Sequence, residues 1–218
     1  MGLQTATEQE LLDTFEALCA KDGAKPEDVN DALVMMGPLR DKHPVYRAHY
    51  MHSLRVAIIA RGMGRLWGGL DERALLFAGA LHDIGKVQVP IEVLGKVDGW
   101  TREDERLVRR HVVDGYRMIR GRFDFSGGIM LWHHRFQANG YPKRMPRPLH
   151  NFANATQDLI YRHGRILSMA DVYDALHRPN TRHGTLSGLE IKKKMIEYND
   201  DRTEFVQALY SEGVLTVH

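Results

Sequence analysis

The chain has one cysteine in 218 residues, Cys19, which excludes an intramolecular disulfide and fits a reducing compartment. Charge of either sign is scarcely in excess: 30 basic against 28 acidic residues leave a formal +2. That balance gives no basis for a surface that binds a nucleic-acid polymer, although a local basic pocket can still hold phosphates. No apolar run approaches the roughly 18–20 residues that span a bilayer. The opening Met1-Gly2-Leu3-Gln4-Thr5-Ala6 carries no secretory apolar stretch, and Ala6 stands where a myristoylation signal needs Ser or Thr. The expectation is a cytoplasmic protein that engages neither a membrane nor a nucleic-acid polymer. Strand-like alternation, internal repeats and low-complexity tracts are missing as well, so the fold class reads as all-α.

What is present is helical periodicity. Hydrophobic residues make up 43% of the chain, enough for the core of one domain with a small extension. Thr7 with Glu10 makes a capping box, and Leu11, Leu12, Phe15 and Leu18 form an apolar stripe that Gly23 breaks. Pro26-Glu27-Asp28 opens a second helix that should end near Gly37-Pro38. A third should run from about Tyr46 to Arg61 and bury Leu54, Val56, Ile58 and Ile59. Asp71 caps a helix whose Leu75, Leu76, Phe77, Ala80 and Leu81 lead into His82-Asp83, with Gly85 as a stop. Thr101 starts another, with Glu103 and Asp104 in its positive first turn and Leu107, Val108, Val112 and Ile119 facing inward. The apolar run Ile129 to Trp132 follows Gly127-Gly128 and ends in His133-His134. After a proline-rich loop, helices are expected near Arg165–Leu176, Gly188–Tyr198 and Thr203–Tyr210. No linker divides the chain, so residues 1–44 read as an N-terminal helical segment and 45–218 as the main domain.

Twelve histidines are the unusual number. Imidazole is the commonest metal ligand, so the excess asks for a metal explanation, but only spacing can support one. Neighbours on a helix diverge by about 100°, so His82 and Asp83 cannot do one job from one direction. The histidine can hold one metal, while the carboxylate has two oxygens and can bridge two. An isolated His-Asp pair is more often a buried ring beside a capping aspartate. Here the pair sits in Leu81-His82-Asp83-Ile84-Gly85-Lys86, and other segments answer it. His52 stands on a helix just before its apolar face. His111 lies among Val108, Val112 and Gly115, where a buried ring needs a partner. His133-His134 repeats the adjacent arrangement. Asp171 interrupts the apolar Ile166-Leu167-Ser168-Met169-Ala170, with Asp174 as a competitor on the same side. Five histidines and two aspartates from five helical segments suffice for two metals that share Asp83.

In that order, His52, His82-Asp83, His111, His133-His134 and Asp171 resemble the HD superfamily of metal-dependent phosphohydrolases. His82-Asp83-Ile84-Gly85-Lys86 and Asn139-Gly140-Tyr141-Pro142 resemble its HD-GYP branch, which opens cyclic dinucleotides. Lys96, Thr101 and Glu105 before His111, and Arg165-Ile166-Leu167 before Asp171, follow the same family run, and the likeness covers about residues 46–210. The resemblance implies an HD-domain helical bundle with a binuclear metal site between helices. One ion would be held by His52, His82, Asp83 and Asp171, the other by Asp83, His111, His133 and His134. Iron or manganese is expected, and zinc or nickel suits the same donors. The implied reaction is hydrolysis of a cyclic dinucleotide, chiefly cyclic di-GMP, by a hydroxide bridging the metals, with Lys86 at the scissile phosphate. Arg178-Pro179-Asn180-Thr181-Arg182 resembles the family's basic segment that contacts substrate phosphates, through Arg178 and Arg182. Tyr141 either lines a guanine pocket or shapes its loop with Gly140 and Pro142, the second being favoured.

The departures bear on the substrate more than on the metals. Ala48 stands where members with a third metal carry glutamate, so two ions are expected, and His49 reads as a solvated helix histidine rather than a spare ligand. The stretch His133 to Asn139 is shorter than the family's and lacks its acids, and the connection from Pro142 to Arg165 is longer. Rival readings are a phosphohydrolase of a mononucleotide, a linear dinucleotide or another phosphoester, a di-iron oxygenase built on the same ligands, and an inactive nucleotide-binding module. Lys86 and Gly140-Tyr141-Pro142 argue against the oxygenase. The full set of seven ligands argues against decay. A homodimer is left open.

Overall fold

Thr7 accepts a hydrogen bond from the Glu10 N–H, while the Glu10 carboxylate accepts from the Thr7 N–H and hydroxyl; this capping box starts α1 (Glu8–Lys21). The computed structural model describes residues 3–178 and 184–217. After α1 come α2 (Pro26–Asp41), α3 (Pro44–Trp67), α4 (Glu72–Leu81), α5 (Ile91–Leu94), α6 (Arg102–Arg109) and α7 (His111–Ile119). They are followed by α8 (Asp124–Met130), α9 (Asn154–Leu176), α10 (Gly188–Glu197) and α11 (Thr203–Ser211). Among the described residues there is no β-strand, which agrees with the all-α reading, and no helix is long and apolar enough to cross a membrane.

Helix boundaries moved where packing outweighs local signals. α2 runs through Pro38 to Asp41 although proline removes a ladder hydrogen bond, because Met36 and Leu39 in that stretch are fully buried. α3 continues past Arg61 to Trp67, with Met63 in the core. α4 stops at Leu81 rather than at Gly85, so His82 and Asp83 leave it in a turn and Ile84–Gln88 form a 3₁₀ helix. The helix expected from Thr101 is interrupted at Arg110 and becomes α6 and α7. α9 begins at Asn154, well before Arg165, so much of the long connection is helical, anchored by buried Ile160 and His163.

α3 is the central helix. It packs along α4 and α9, and α1 and α2 lie against it. Leu11, Phe15, Ala32, Met36 and Leu39 of the first two helices are fully buried in the same core as Leu54, Leu75, Leu81 and Ile166. Arg61 strengthens that junction with a forked pair of bonds to Asp22, and it also reaches Glu72. Two glycines allow close approaches of backbone to backbone. A Cβ at Gly79 would lie 2.4 Å from the Ala57 Cα, and one at Gly85 would lie 2.0 Å from the His111 carbonyl oxygen. The first contact locks α4 onto α3, and the second brings the His82-Asp83 turn against the start of α7.

Candidate metal centre

Five elements converge behind that contact. α3 contributes His52, the turn after α4 contributes His82 and Asp83, and α7 begins with His111. The turn after α8 carries His133 and His134, and α9 carries Asp171. Ligand-capable atoms of His52, His82 and Asp171 lie within 4.8 Å of one another, as do those of His111, His133 and His134, and those of His82, Asp83 and His133. Asp83 stands between the groups. Its Oδ1 is 3.3 Å from His111 Nε2 and 3.6 Å from His82 Nε2, and its Oδ2 is 3.7 Å from His52 Nε2. Asp171 Oδ1 is 3.1 Å from His52 Nε2 and 3.8 Å from His82 Nε2, while its Oδ2 is 3.9 Å from His134 Nδ1.

Local backbone geometry aims most of these rings. His82, His111 and His133 each donate Nδ1–H to the carbonyl three residues back, on Gly79, Val108 and Met130. That bond fixes the tautomer and turns the Nε2 lone pair inward. As a result the Nε2 atoms of His82, His111 and His133 are buried with no hydrogen-bond partner, and the Nδ1 of His134 is likewise buried and unpartnered. Buried polar atoms are nearly always satisfied, so four inward lone pairs around two carboxylates form a donor set suited to cations. His52 is aimed differently, its Nδ1 lying 2.6 Å from Asp174 Oδ2.

Burial holds His82 down to about 4 and His111 to about 3, and it also lowers His133 and His134, so these rings are neutral, the form that can ligate a cation, at neutral pH. Burial alone would push the Asp83 carboxyl up. The Lys86 ammonium and then His82 outweigh it and hold Asp83 well below the usual carboxylate range. Asp171 is held down in the same way against burial, first by its hydrogen bond with His52 and then by His134. Lys86 Nζ donates to Asp83 Oδ2 at 2.6 Å and lies 3.2 Å from His49 Nδ1. His49 is therefore not the solvated residue expected. Its side chain is 14% exposed, sits 3.5 Å from Asp83 Oδ2, and is lowered to about 4 by burial and then by Lys86.

The cluster opens into a cavity of about 230 Å³ lined by His52, Asp83, Lys86, Asp171, Gln137 and Arg178, among others. The Arg178 Nε is buried without a hydrogen-bond partner. Arg182 lies outside the described residues. Tyr141 does not line this cavity. It stacks on His134 at 4.5 Å and 27°, stands edge-on to His111, and is covered by the Arg109 guanidinium at 5.2 Å. The Tyr141-Pro142 peptide is cis, and Arg135 donates to the Pro142 carbonyl. Tyr141 thus braces two ligand rings from behind. Sequence reasoning missed Gln137, Arg55 and Gln4, and treated Asp174 as an alternative ligand. Arg55 stands three residues after His52, and that spacing on one helix face was the available signal.

The family model described as HD domain matches residues 50–176. A cyclic di-GMP phosphodiesterase of Pseudomonas aeruginosa is 31% identical over 156 residues, which are 69% of this chain and 35% of that protein. The cyclic di-GMP phosphodiesterase response regulator RpfG of Xanthomonas campestris is 34% identical over 50% of this chain and 28% of its own length. The 3'3'-cGAMP-specific phosphodiesterase 1 of Vibrio cholerae is 28% identical over 78% of this chain and 38% of that protein. The chain thus spans between 28% and 38% of the length of these relatives. Among solved structures, the HD domain of the L. monocytogenes phosphodiesterase PgpH matches with a TM-score of 0.51 at 16% identity, over 82% of this chain and 87% of that one. At that identity the match speaks to the fold, an all-α HD bundle.

Proposed function

This chain belongs to the HD domain family, and from that membership we propose that it is a metal-dependent phosphohydrolase that opens a cyclic dinucleotide, cyclic di-GMP before others. The observation that carries the reading is the set of four unpartnered, buried imidazole nitrogens around Asp83 and Asp171, next to a cavity that Lys86 and Arg178 line. Imidazole and carboxylate donors suit iron, manganese, zinc or nickel. His52, His82, Asp83 and Asp171 would hold one ion, and Asp83, His111, His133 and His134 the other. Bound there, a pair of divalent cations would supply an acidified water and a clamp on the phosphoryl oxygens.

The remaining work falls to the chain's own groups. Asp83 offers one oxygen to each half of the cluster, its Oδ1 facing His111 and its Oδ2 facing His52. The carbonyls of Gly79, Val108 and Met130 keep the ligand lone pairs inward. Lys86 presents an ammonium in the same cavity and would neutralise charge that builds on the phosphoryl oxygens. Arg178 would take a phosphate oxygen with its unused Nε, with Arg182 as a second anchor.

The test is an assay of manganese- or iron-loaded protein against cyclic di-GMP, 3'3'-cGAMP, a linear dinucleotide and a mononucleotide. Opening of cyclic di-GMP is expected, and Asp83→Ala should lose both cation binding and turnover. A cation-loaded protein that turns over no cyclic dinucleotide would refute the substrate assignment. Full activity in the Asp83 variant would refute the mechanism.

A further inference from the structure

A histidine inside a helix can bond to a carbonyl of its own turn, as His163 does to Leu159, but His52 Nδ1 bonds to another helix instead. His52 lies in the interior of α3 and takes its Nδ1 partner from another element. α9 supplies one. Asp174, completely buried, accepts four hydrogen bonds, and every one of its partners is a donor. Its Oδ2 takes His52 Nδ1 at 2.6 Å and Arg55 Nη2 at 3.2 Å. Its Oδ1 takes Arg55 Nε at 2.7 Å and Gln4 Nε2 at 3.0 Å. Only a group that accepts at both ends fits such a junction, and a carboxylate is that group. Arg55 supplies the charge that lets it stay buried and ionised, and Gln4 closes it from the turn before α1.

We propose that Asp174 is the positioning residue that holds His52 through Nδ1–H and so directs Nε2, 3.1 Å from Asp171 Oδ1, toward the cluster. The proposal rests on the metal reading given above and adds to it an inequality between the two cation positions. His52 belongs with His82 and Asp171, so loss of Asp174 disables that position. The position built on His111, His133 and His134 is aimed by backbone and is left intact.

Asp174→Asn tests this, because an amide turns one end of the junction into a donor facing donors. Manganese titration calorimetry on the full chain should give two equivalents for the unsubstituted protein. In the variant one of them should be weakened about 10–100-fold, with the other retained. If the unpaired Arg55 prevents the variant from folding, Arg55→Met with Asp174→Asn removes both charges and carries the same expectation. Nitrogen-15 NMR of the cation-free, unsubstituted protein provides a readout independent of metal, and the His52 ring should be protonated at Nδ1. A His52 ring with no proton on Nδ1, a folded variant with both equivalents unchanged, or a weakening shared equally by both would overturn the proposal. An unsubstituted protein that binds no cation would instead overturn the metal reading, and the tautomer measurement would still decide the role of Asp174.

Discussion

Gly85→Ala isolates the contact on which the cluster depends. The new Cβ would lie 2.0 Å from the His111 carbonyl oxygen, 2.6 Å from the Gly115 nitrogen and 2.8 Å from the His111 carbonyl carbon. All three atoms are backbone, so no side chain can rotate away. Non-bonded carbon contacts settle near 3.5–4.0 Å, so the turn and α7 must separate by more than about 1 Å. Overpacking of this kind costs about 1–3 kcal/mol, and a backbone clash belongs at the upper end. At about 2–4 °C per kcal/mol for a chain of this size, the melting temperature should fall by roughly 6–12 °C. The same separation pulls Asp83 from His111, now 3.3 Å apart at their facing atoms. Metal–ligand bonds of about 2.0–2.2 Å do not tolerate such a shift, so the cation that shares Asp83 with His111 should weaken as well. Thermal unfolding by circular dichroism and manganese calorimetry measure both effects. A Gly85→Ala protein that melts within about a degree of the parent and binds manganese equally well would refute the argument.

Lys86→Ala should keep both cations, because no ligand is removed, and lose turnover by about 10²-fold; loss of cation binding in that variant would contradict its assignment. Tyr141→Phe should be silent in cation binding, whereas Tyr141→Ala removes the stack on His134 and should cost about 0.5–1.5 kcal/mol in a denaturant melt. Stability of the cation-free protein should fall with acid. His82 and His111 titrate near 4 and 3 when folded against 6.5 ordinarily, so the unfolded chain takes up protons first as pH drops below 6.5. Each therefore removes on the order of 2 kcal/mol between pH 7 and pH 5. His52 shifts upward, as its hydrogen bonds with Asp171 and Asp174 outweigh burial, and offsets part of the loss. Equal denaturant midpoints at pH 7 and pH 5 would count against neutral buried rings.

Caps were legible because their information is local. The Thr7 box, the Thr101 start and the Asp71 cap act on backbone groups a few residues away, and the structure has all three, with Thr101 and Asp104 forming a second box. Helix ends that depend on distant packing were not legible. Pro38 signals a stop that the buried Leu39 overrides, and nothing local in Asn154 to Gly164 outweighs its polar character until Ile160 and His163 meet the core. His49 was misread for the same reason, since solvation is a property of the neighbours that Lys86 and Asp83 become only after folding.

The candidate residues of the centre were readable before folding. Five histidines and two aspartates could be singled out by residue type and order alone, because few side chains other than imidazole and carboxylate suit a cation. Spacing left Asp171 and Asp174 as competitors and only the family resemblance favoured Asp171; the fold shows where each carboxylate lies. Asp171 and Asp174 lie three residues apart on one face of α9 and are chemically identical, so spacing cannot tell them apart. The packing of α9 on α3 turns Asp171 toward the cluster and buries Asp174 among donors from His52, Arg55 and Gln4.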